Sequence, residues 1–518
     1  MRIHNFVEYY ARNYPDSPAI TRGTRTLNYS QLDAMANRLA NGLLEKGVEK
    51  GDRVAVVGEN GEQHLAMILA CAKIGAITVE LNYRLATPEI AYIIKDSAPR
   101  ILLFIGGDMS QLCQELQDLL PADIVQLFSE VPNRDDWLDW LNALPSTSPG
   151  IEVDACDGVL QMYTSGTTGN PKGVVMSHGN MVAGGLQNLV AKAVKAGPGS
   201  ADLICAPFFH IGGAGAALVA LYTGAHVILH KTFDPEAVVN DIESYPISSI
   251  FLVPAMIMAI LSLPDIESRD FSKLNHIFYG ASPITEQVLR RAIEVFQTDF
   301  TQMYGMTESS GAGLNLGPSD HLRALKGNPG LLGSCGRPNV GVEVMIADSD
   351  GNEVPTGEIG EVYLKSDTIM IGYHNLPEET KATLVNGWLK TGDSGCMDAQ
   401  GYVYLKDRIK DMVVSGAENI YPIEVENVLS LHPAVKDVAV IGVPDDKFGE
   451  ALLACIVTQQ QCDLDVEAMI GHCRGKIAGY KIPRQLKLYS ELPRSPTGKV
   501  LKKELRAPFW NSMDRSIG

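Results

Sequence analysis

The 518-residue sequence has no apolar run long enough to cross a bilayer. Its longest mainly apolar stretch, Ile250 to Leu263, is 14 residues and is interrupted by Pro254 and Ser262. A spanning helix needs about 20 apolar residues, so the stretch reads as a buried strand, a turn and a helix. Met1 to Tyr10 lacks the apolar centre of a signal peptide, and Arg515-Ser-Ile-Gly518 is neither a prenylation nor a peroxisomal tail. Paired cysteines are missing too. The nine cysteines stand singly, without a CxxC pair or a His/Cys cluster of zinc spacing. Reduced thiols and a cytoplasmic protein without a transmembrane segment are the expectation. Positive charge is scarce: 43 Lys and Arg face 61 Asp and Glu, a net charge of −18. That disfavours nucleic acid and anionic membranes as partners. Any anionic substrate must therefore be met by a few well-placed cations. Repeats and low-complexity linkers are absent as well. A homodimer is an expectation with no sequence feature behind it.

What is present is an ordinary globular composition, 45% hydrophobic and 20% charged, in a chain long enough for two to four domains. Residues 1 to about 150 alternate helical and strand patterns. Ser30 to Gly47 carries Leu32, Met35, Leu39 and Leu43 at helical spacing. Arg53–Val57, Ile77–Leu81 and Ile101–Phe104 read as strands, and His64–Ile74 as a helix packed on them. This βαβα rhythm predicts a mainly parallel sheet. Asn82 to Leu85 reads as a turn and helix start, without assigned chemistry.

The rhythm resumes with strands at Asp202–Ala206, His226–Leu229, Ser249–Pro254, His276–Tyr279 and Phe300–Tyr304. Several end in Gly/Ser/Thr-rich turns, and ligands collect at the carboxyl ends of strands in open α/β sheets. From about Gly330 a β-rich section with tight Asp/Gly turns follows, and from about residue 411 a last α+β unit.

The densest local signal is Tyr163-Thr-Ser-Gly-Thr-Thr-Gly-Asn-Pro-Lys172-Gly173. Small and hydroxylated residues expose backbone N–H groups, glycine lets successive amides converge on one anion, and Lys172 adds a point charge. The stretch suits a polyphosphate. It is not the common P-loop, since Lys172 follows Pro171 and precedes Gly173 rather than opening a helix at Ser or Thr.

Five ordered stretches resemble the adenylate-forming superfamily of acyl-CoA synthetases, stand-alone adenylation domains and beetle luciferases. They are Thr164 to Gly173, Tyr304-Gly-Met-Thr-Glu308, Lys390-Thr-Gly-Asp393, Asp407-Arg-Ile-Lys-Asp411 and Pro493-Arg-Ser-Pro-Thr-Gly-Lys499. The resemblance implies a large N-terminal domain of parallel α/β sheets plus a small β-barrel-like section, residues 1–409. A small mobile α+β domain, 410–518, would follow a hinge at Lys410. It implies an ATP-dependent acyl-CoA ligase of the AMP-forming kind. An acid is first converted to an acyl-adenylate and then to a thioester, with ATP, Mg²⁺ and coenzyme A as cofactors and co-substrate.

The same resemblance assigns Thr164, Ser165, Gly166, Thr167, Thr168, Gly169 and Lys172 to the ATP phosphates. Glu308, with Thr164 or Thr307 nearby, would hold Mg²⁺. Gly280, Ala281, Ser282 and Tyr304, followed by Gly305 and Met306, would line the adenine site. Asp393 and Arg408 would contact the ribose, and Lys499 would join the carboxylate to the α-phosphate. Gly416 and Ala417 would border the pantetheine channel, where the family commonly has Gly-Gly.

His210 stands where amino-acid-activating members carry an aspartate, so an α-amino acid is not expected. Gly212, Gly213, Ala214, Gly215 and Ala216, with Met256 and Leu314, are the expected walls of an apolar acyl groove. Close helix packing is the competing account of those glycines. A fatty or ring-containing carboxylic acid larger than acetate is the expected substrate. Only 19 residues follow Lys499, so a tethered carrier domain is not expected and free coenzyme A is the expected acceptor. A separate acyl carrier protein is the alternative.

Overall fold

The computed structural model describes residues 1–107, 109–121, 123–131, 137–164, 171–192, 196–282, 284, 286–408, 411–415, 418–445, 449–459, 462, 464–474, 476–494, 498 and 500–510. Four sheets organise them.

One seven-stranded sheet runs in the order Gly372–Tyr373, Lys172–Ser177, Gly158–Thr164, Ile77–Leu81, Arg53–Gly58, Ile101–Ile105, Val125–Ser129. Its last five strands are parallel. A nine-stranded sheet has six parallel strands at its centre: Asp299–Tyr304, His276–Gly280, Ile247–Leu252, Ala201–Ile204, His226–Leu229 and Pro18–Arg22. Antiparallel strands close both of its edges. The sequence reading had no strand before Arg53. Pro18–Arg22 and Arg25–Asn28 form a hairpin that docks on His226–Leu229, a partnership about 200 residues away that no local pattern announces.

The two large sheets share one core, joined through the helices Glu62–Ile74 and Ile211–Thr223. Every residue of Glu62–Ile74 is buried, as expected for a helix apolar around most of its circumference. It ends at Gly75 with φ +73°, the left-handed cap that glycine takes without penalty. The apolar run that is too short for a membrane becomes the strand Ile247–Leu252 and the helix Pro254–Leu261, with proline in the first turn. Among the described residues no helix is long and apolar enough to span a bilayer, and no disulfide joins any of the nine cysteines.

The third sheet is the β-barrel-like section: five antiparallel strands, Glu343–Ala347, Gly360–Lys365, Trp388–Met397, Leu384–Val385 and Val403–Arg408. The fourth sheet starts at Val413 and carries the helices Pro422–Leu429 and Val466–Cys473 on a core of its own. The architecture is a large α/β body with a partial barrel and a smaller α+β unit.

Candidate active site

The strands Gly158–Thr164 and Lys172–Ser177 pair antiparallel, with Thr164 directly opposite Lys172. The phosphate-type loop is thus a hairpin connection whose two ends are fixed side by side. Its residues Ser165, Gly166, Thr167, Thr168 and Gly169 lie outside the described residues.

Three further contacts converge on this hairpin. The edge strand Gly372–Tyr373 pairs with Val174 and Val175, which brings the Tyr373 ring beneath Lys172, 5.2 Å from ammonium to centroid. The Tyr373 hydroxyl donates to Glu308 Oε1 at 3.0 Å. Burial, then the Glu308 charge, raises the Tyr373 pKa, so it remains a donor. Glu308 is buried in the 3₁₀ turn Thr307–Ser309, which the Met306 N–H closes by donating to Ser309 Oγ. Lys172 also pairs with the carboxylate of Glu379, on the helix Pro377–Thr383. Tyr373 escaped the sequence reading because a strand of two residues carries no periodic signal, and Glu379 because it sits on a helix of only seven residues with no buried face.

Across the crevice, Tyr304 closes the strand Asp299–Tyr304 and donates its hydroxyl to Asp393 Oδ2 at 2.8 Å. Asp393 sits in the middle of Trp388–Met397, directly opposite Arg408. The local chain is held there by Thr391, which donates to the Val362 carbonyl at 2.7 Å and accepts from the Asp393 N–H at 3.1 Å. The two residues expected at the ribose are therefore cross-strand partners. Gly280 ends its strand so close to its neighbour that a Cβ there would lie 2.2 Å from the Met303 carbonyl oxygen. Ala281 follows at φ +66°, a conformation that L-residues adopt only under tertiary constraint and that clusters at functional sites. Ala281 and Gly305 both face the main cavity.

His210 caps the helix Ile211–Thr223 just beyond the strand Ala201–Ile204. Burial, and then the charge of Arg84, lowers its pKa to about 4, so the imidazole is neutral at pH 7. Its Nε2 finds no hydrogen-bond partner among the described residues. Arg84, which the sequence offered only as part of a turn, lies 5.9 Å from the centroid of Phe209. Beside this strand end, the main cavity encloses about 130 Å³ between the strands of the nine-stranded sheet and two helices, His178–Lys192 and Ile211–Thr223.

The small residues after His210 divide between the two accounts. Gly212, Gly215 and Ala216 line the cavity. Gly213 instead allows close packing, since a Cβ there would lie 2.2 Å from the Pro207 carbonyl oxygen, and Ala214 is buried in the core between the sheets. Met256 and Leu314 are not cavity walls. Each packs in a separate core, under Pro254–Leu261 and in the barrel-like section respectively.

Lys499, Lys410, Gly416 and Ala417 lie outside the described residues, and Arg408 is described for its backbone alone. The residue before Lys499 is informative. Gly498 approaches the start of Pro254–Leu261, where its Cβ position would lie 2.8 Å from Ala255 Cβ. The terminal loop thus reaches the helix that follows a central strand of the large sheet. Its base is tied by Arg494, which donates to the Gly498 carbonyl and pairs with Asp437 at 2.5 Å. Among the described residues no three His, Cys, Asp or Glu side chains gather as a metal cluster.

The chain matches two family descriptions, AMP-binding enzyme over residues 7–374 and AMP-binding enzyme C-terminal domain over residues 424–499. It is 35% identical over 519 residues to fatty acid–[acyl-carrier-protein] ligase ScoC of Streptomyces coeruleorubidus, covering 98% of this chain and 96% of that one. It is 36% identical over 500 residues to feruloyl-CoA synthase of an Amycolatopsis species, covering 96% and 97%. Among solved structures it resembles o-succinylbenzoate CoA synthetase (MenE) from Bacillus subtilis in complex with its acyl-adenylate intermediate. The TM-score is 0.85 and the identity 30%, with 97% of each chain covered. The chain belongs to the AMP-binding enzyme family, within the adenylate-forming superfamily, and is an AMP-forming acid–thiol ligase.

Proposed function

We propose that this enzyme is an ATP-dependent acyl-CoA ligase for a carboxylic acid larger than acetate with an apolar fatty or ring-containing body. The carrying observation is the largely apolar cavity lined by Ala281 and Gly305, the latter next in sequence to Tyr304 of the Tyr304–Asp393 pair. A carboxylate is a poor acyl donor because oxide is a poor leaving group. Attack of its oxygen on the α-phosphorus forms the mixed anhydride and breaks the bond to pyrophosphate. Such a displacement needs alignment and charge neutralisation more than covalent help.

In this reading Thr164 to Lys172 grips the β- and γ-phosphates, Asp393 and Arg408 hold the ribose, and Gly280 to Ser282 with Tyr304 flank the adenine. Neutral His210 closes the acyl side without offering a counter-charge to an ammonium. Lys499 would bridge the acid and the α-phosphate, carried there by the loop that already reaches Ala255. The residues also fit Mg²⁺: a buried carboxylate at Glu308 and a hydroxyl at Thr164 are hard oxygen donors, and Mg²⁺ takes one or two carboxylates with substrate phosphates rather than a protein cage. Bound there, the ion would neutralise phosphate charge.

The second step places the thiol of coenzyme A on the acyl carbonyl and releases AMP. We assign residues 1–409 to the adenylation domain and 410–518 to a mobile domain hinged at Lys410, which would withdraw Lys499 and bring Gly416 and Ala417 to the thiol channel. Nine cysteines without a disulfide support a cytoplasmic setting. The acceptor has a second reading, since one relative is by name a ligase to an acyl carrier protein.

Pyrophosphate release over a panel of acids, from acetate through fatty acids to cinnamates, with and without coenzyme A, tests both. Sustained turnover that requires coenzyme A supports the ligase. Acid-dependent adenylation that coenzyme A does not accelerate would overturn it in favour of a carrier protein.

A further inference from the structure

The far end of the cavity is polar. Asp202, on the strand Ala201–Ile204, is 3% exposed and accepts a hydrogen bond from Ser249 Oγ at 2.8 Å; the two are register partners on adjacent strands. Tyr222, near the end of the helix Ile211–Thr223, is 5% exposed, and its hydroxyl has no hydrogen-bond partner among the described residues. Asn188 Oδ1 is likewise buried and unpartnered among them. All four residues line the same cavity as Ala281 and Gly305. The Tyr222 ring crosses the face of His178–Lys192 at Gly185, where a Cβ would lie 2.6 Å from a ring carbon. Asn188 is one turn further along that face.

Two measures give the depth of this floor. Eleven residues of helix separate Ile211 from Tyr222, about 16 Å at the helical rise. On the sheet, Phe251 pairs with Phe278; two residues up from Ser249 and three more to Ala281 give roughly 16 Å at the strand rise. Between mouth and floor the walls are apolar, with Phe251, Phe278 and Ile250 among them. An aliphatic tail ending at this floor would leave a tyrosine hydroxyl and an amide oxygen buried without partners, a costly state. A hydroxyl that donates to Asn188 Oδ1 and accepts from Tyr222 satisfies both orphans with one neutral group. An ammonium can donate but cannot accept from the tyrosine.

We propose that the cavity selects acids whose end remote from the carboxylate carries a hydroxyl, phenolic or alcoholic, read by Tyr222 and Asn188 above the Asp202–Ser249 pair. This rests on the cavity being the acyl site.

The test compares matched pairs on the full-length enzyme, chosen long enough to approach the floor: ω-hydroxydecanoate with decanoate, and ω-hydroxydodecanoate with dodecanoate. Pyrophosphate release gives kcat/KM, and calorimetry without ATP gives binding of each acid separately. The hydroxylated member of at least one pair should be favoured about tenfold or more. Tyr222→Phe combined with Asn188→Leu should bring that ratio close to one. Tyr222→Phe alone should also raise the melting temperature, because it removes a buried hydroxyl that lacks a partner; a merely structural tyrosine would lower it. No preference in either pair, or a preference that survives the double substitution, overturns the proposal. If no acid releases pyrophosphate while calorimetry still shows the preference, the hydroxyl site stands and the acyl-activating role falls. If pyrophosphate release is strong but indifferent to the hydroxyl, the reverse holds.

Discussion

Lys172, the only cation in its glycine-rich stretch, is paired with the carboxylate of Glu379 across 207 residues of chain. The lysine is mostly covered and the glutamate side chain is 44% exposed. In the proposed reading, the cation that grips the ATP phosphates is held by a carboxylate that the nucleotide would have to displace. Glu379→Gln removes that competitor while keeping the side chain's shape. With one partner open to solvent the ion pair is screened and worth about 1 kcal/mol or less, so the KM for ATP should fall about two- to fivefold with kcat little changed. Steady-state kinetics at two ionic strengths check this, since added salt should shrink the difference. An unchanged or higher KM would count against the competition.

The Tyr304 hydroxyl fixes one oxygen of Asp393. Burial, and then the Asp393 charge, raises the pKa of Tyr304, so it donates throughout the working pH range. Tyr304→Phe keeps the ring and removes this hydrogen bond to the carboxylate. A hydrogen bond to a charged group contributes about 1.5–3 kcal/mol, so the KM for ATP should rise about tenfold or more. The pyrophosphate-exchange rate at saturating ATP should change far less. A fall in rate with KM unmoved would place Tyr304 in the chemistry instead.

Much of the architecture was legible because the signals were contiguous. The strands Arg53–Gly58, Ile77–Leu81 and Ile101–Ile105 are short apolar runs bounded by turn residues, and they stand where expected. The glycine-rich stretch declared itself by composition. What stayed hidden depends on distant pairing. Tyr373 reaches Glu308 only because a two-residue strand docks on Val174–Val175, and Asp202 meets Ser249 only through sheet register. Yet an aspartate inside the apolar run at 202–206 was a visible anomaly that could have marked the cavity floor. The glycines after His210 defied assignment for another reason. The helix Ile211–Thr223 is apolar on every side, so no stripe tells which small residue faces a void.

The assigned split between the two half-reactions is tested through Lys499. Lys499→Ala should cut adenylate formation by orders of magnitude while thioester formation from supplied acyl-adenylate persists. Lys410→Pro should impair the second step more than the first, because proline restricts the backbone where rotation is required. Rapid-quench measurement of each half-reaction separates the two. Equal loss in both steps for Lys499→Ala would remove the lysine from its role.

Three histidines should make the fold sensitive to acid. Burial is the leading cause that lowers His4 to about 4, His178 to about 3 and His210 to about 4, all from an ordinary value of 6.5. The unfolded chain takes up protons near pH 6.5 where the folded chain does not, so the unfolded state binds more protons below that value. The stability these groups contribute is complete above pH 6.5 and is lost as pH falls towards about 4 for His4 and His210 and about 3 for His178. Urea midpoints across that window should decline steadily, and His178→Gln should flatten the decline. A pH-independent midpoint would contradict the buried neutral state.

Gly212 and Gly213 are neighbours in sequence and opposites in consequence. A Cβ at Gly212 would lie 2.8 Å from a ring carbon of Phe251, a side chain on the cavity wall. At Gly213 it would meet backbone on two sides, 2.2 Å from the Pro207 oxygen and 2.6 Å from the Ala206 oxygen. A ring can tilt, whereas the backbone where a central strand leaves the sheet cannot yield as readily. Gly212→Ala should therefore keep the melting temperature within a few degrees, narrow the cavity and move preference towards slimmer acids by about tenfold. Gly213→Ala should destabilise by about 1–3 kcal/mol, the range for overpacked cores, with the acid preference of the remaining folded enzyme unchanged. Thermal melts together with the acid panel separate the two outcomes. The reverse pattern would mean that the helix presents its other face to the substrate.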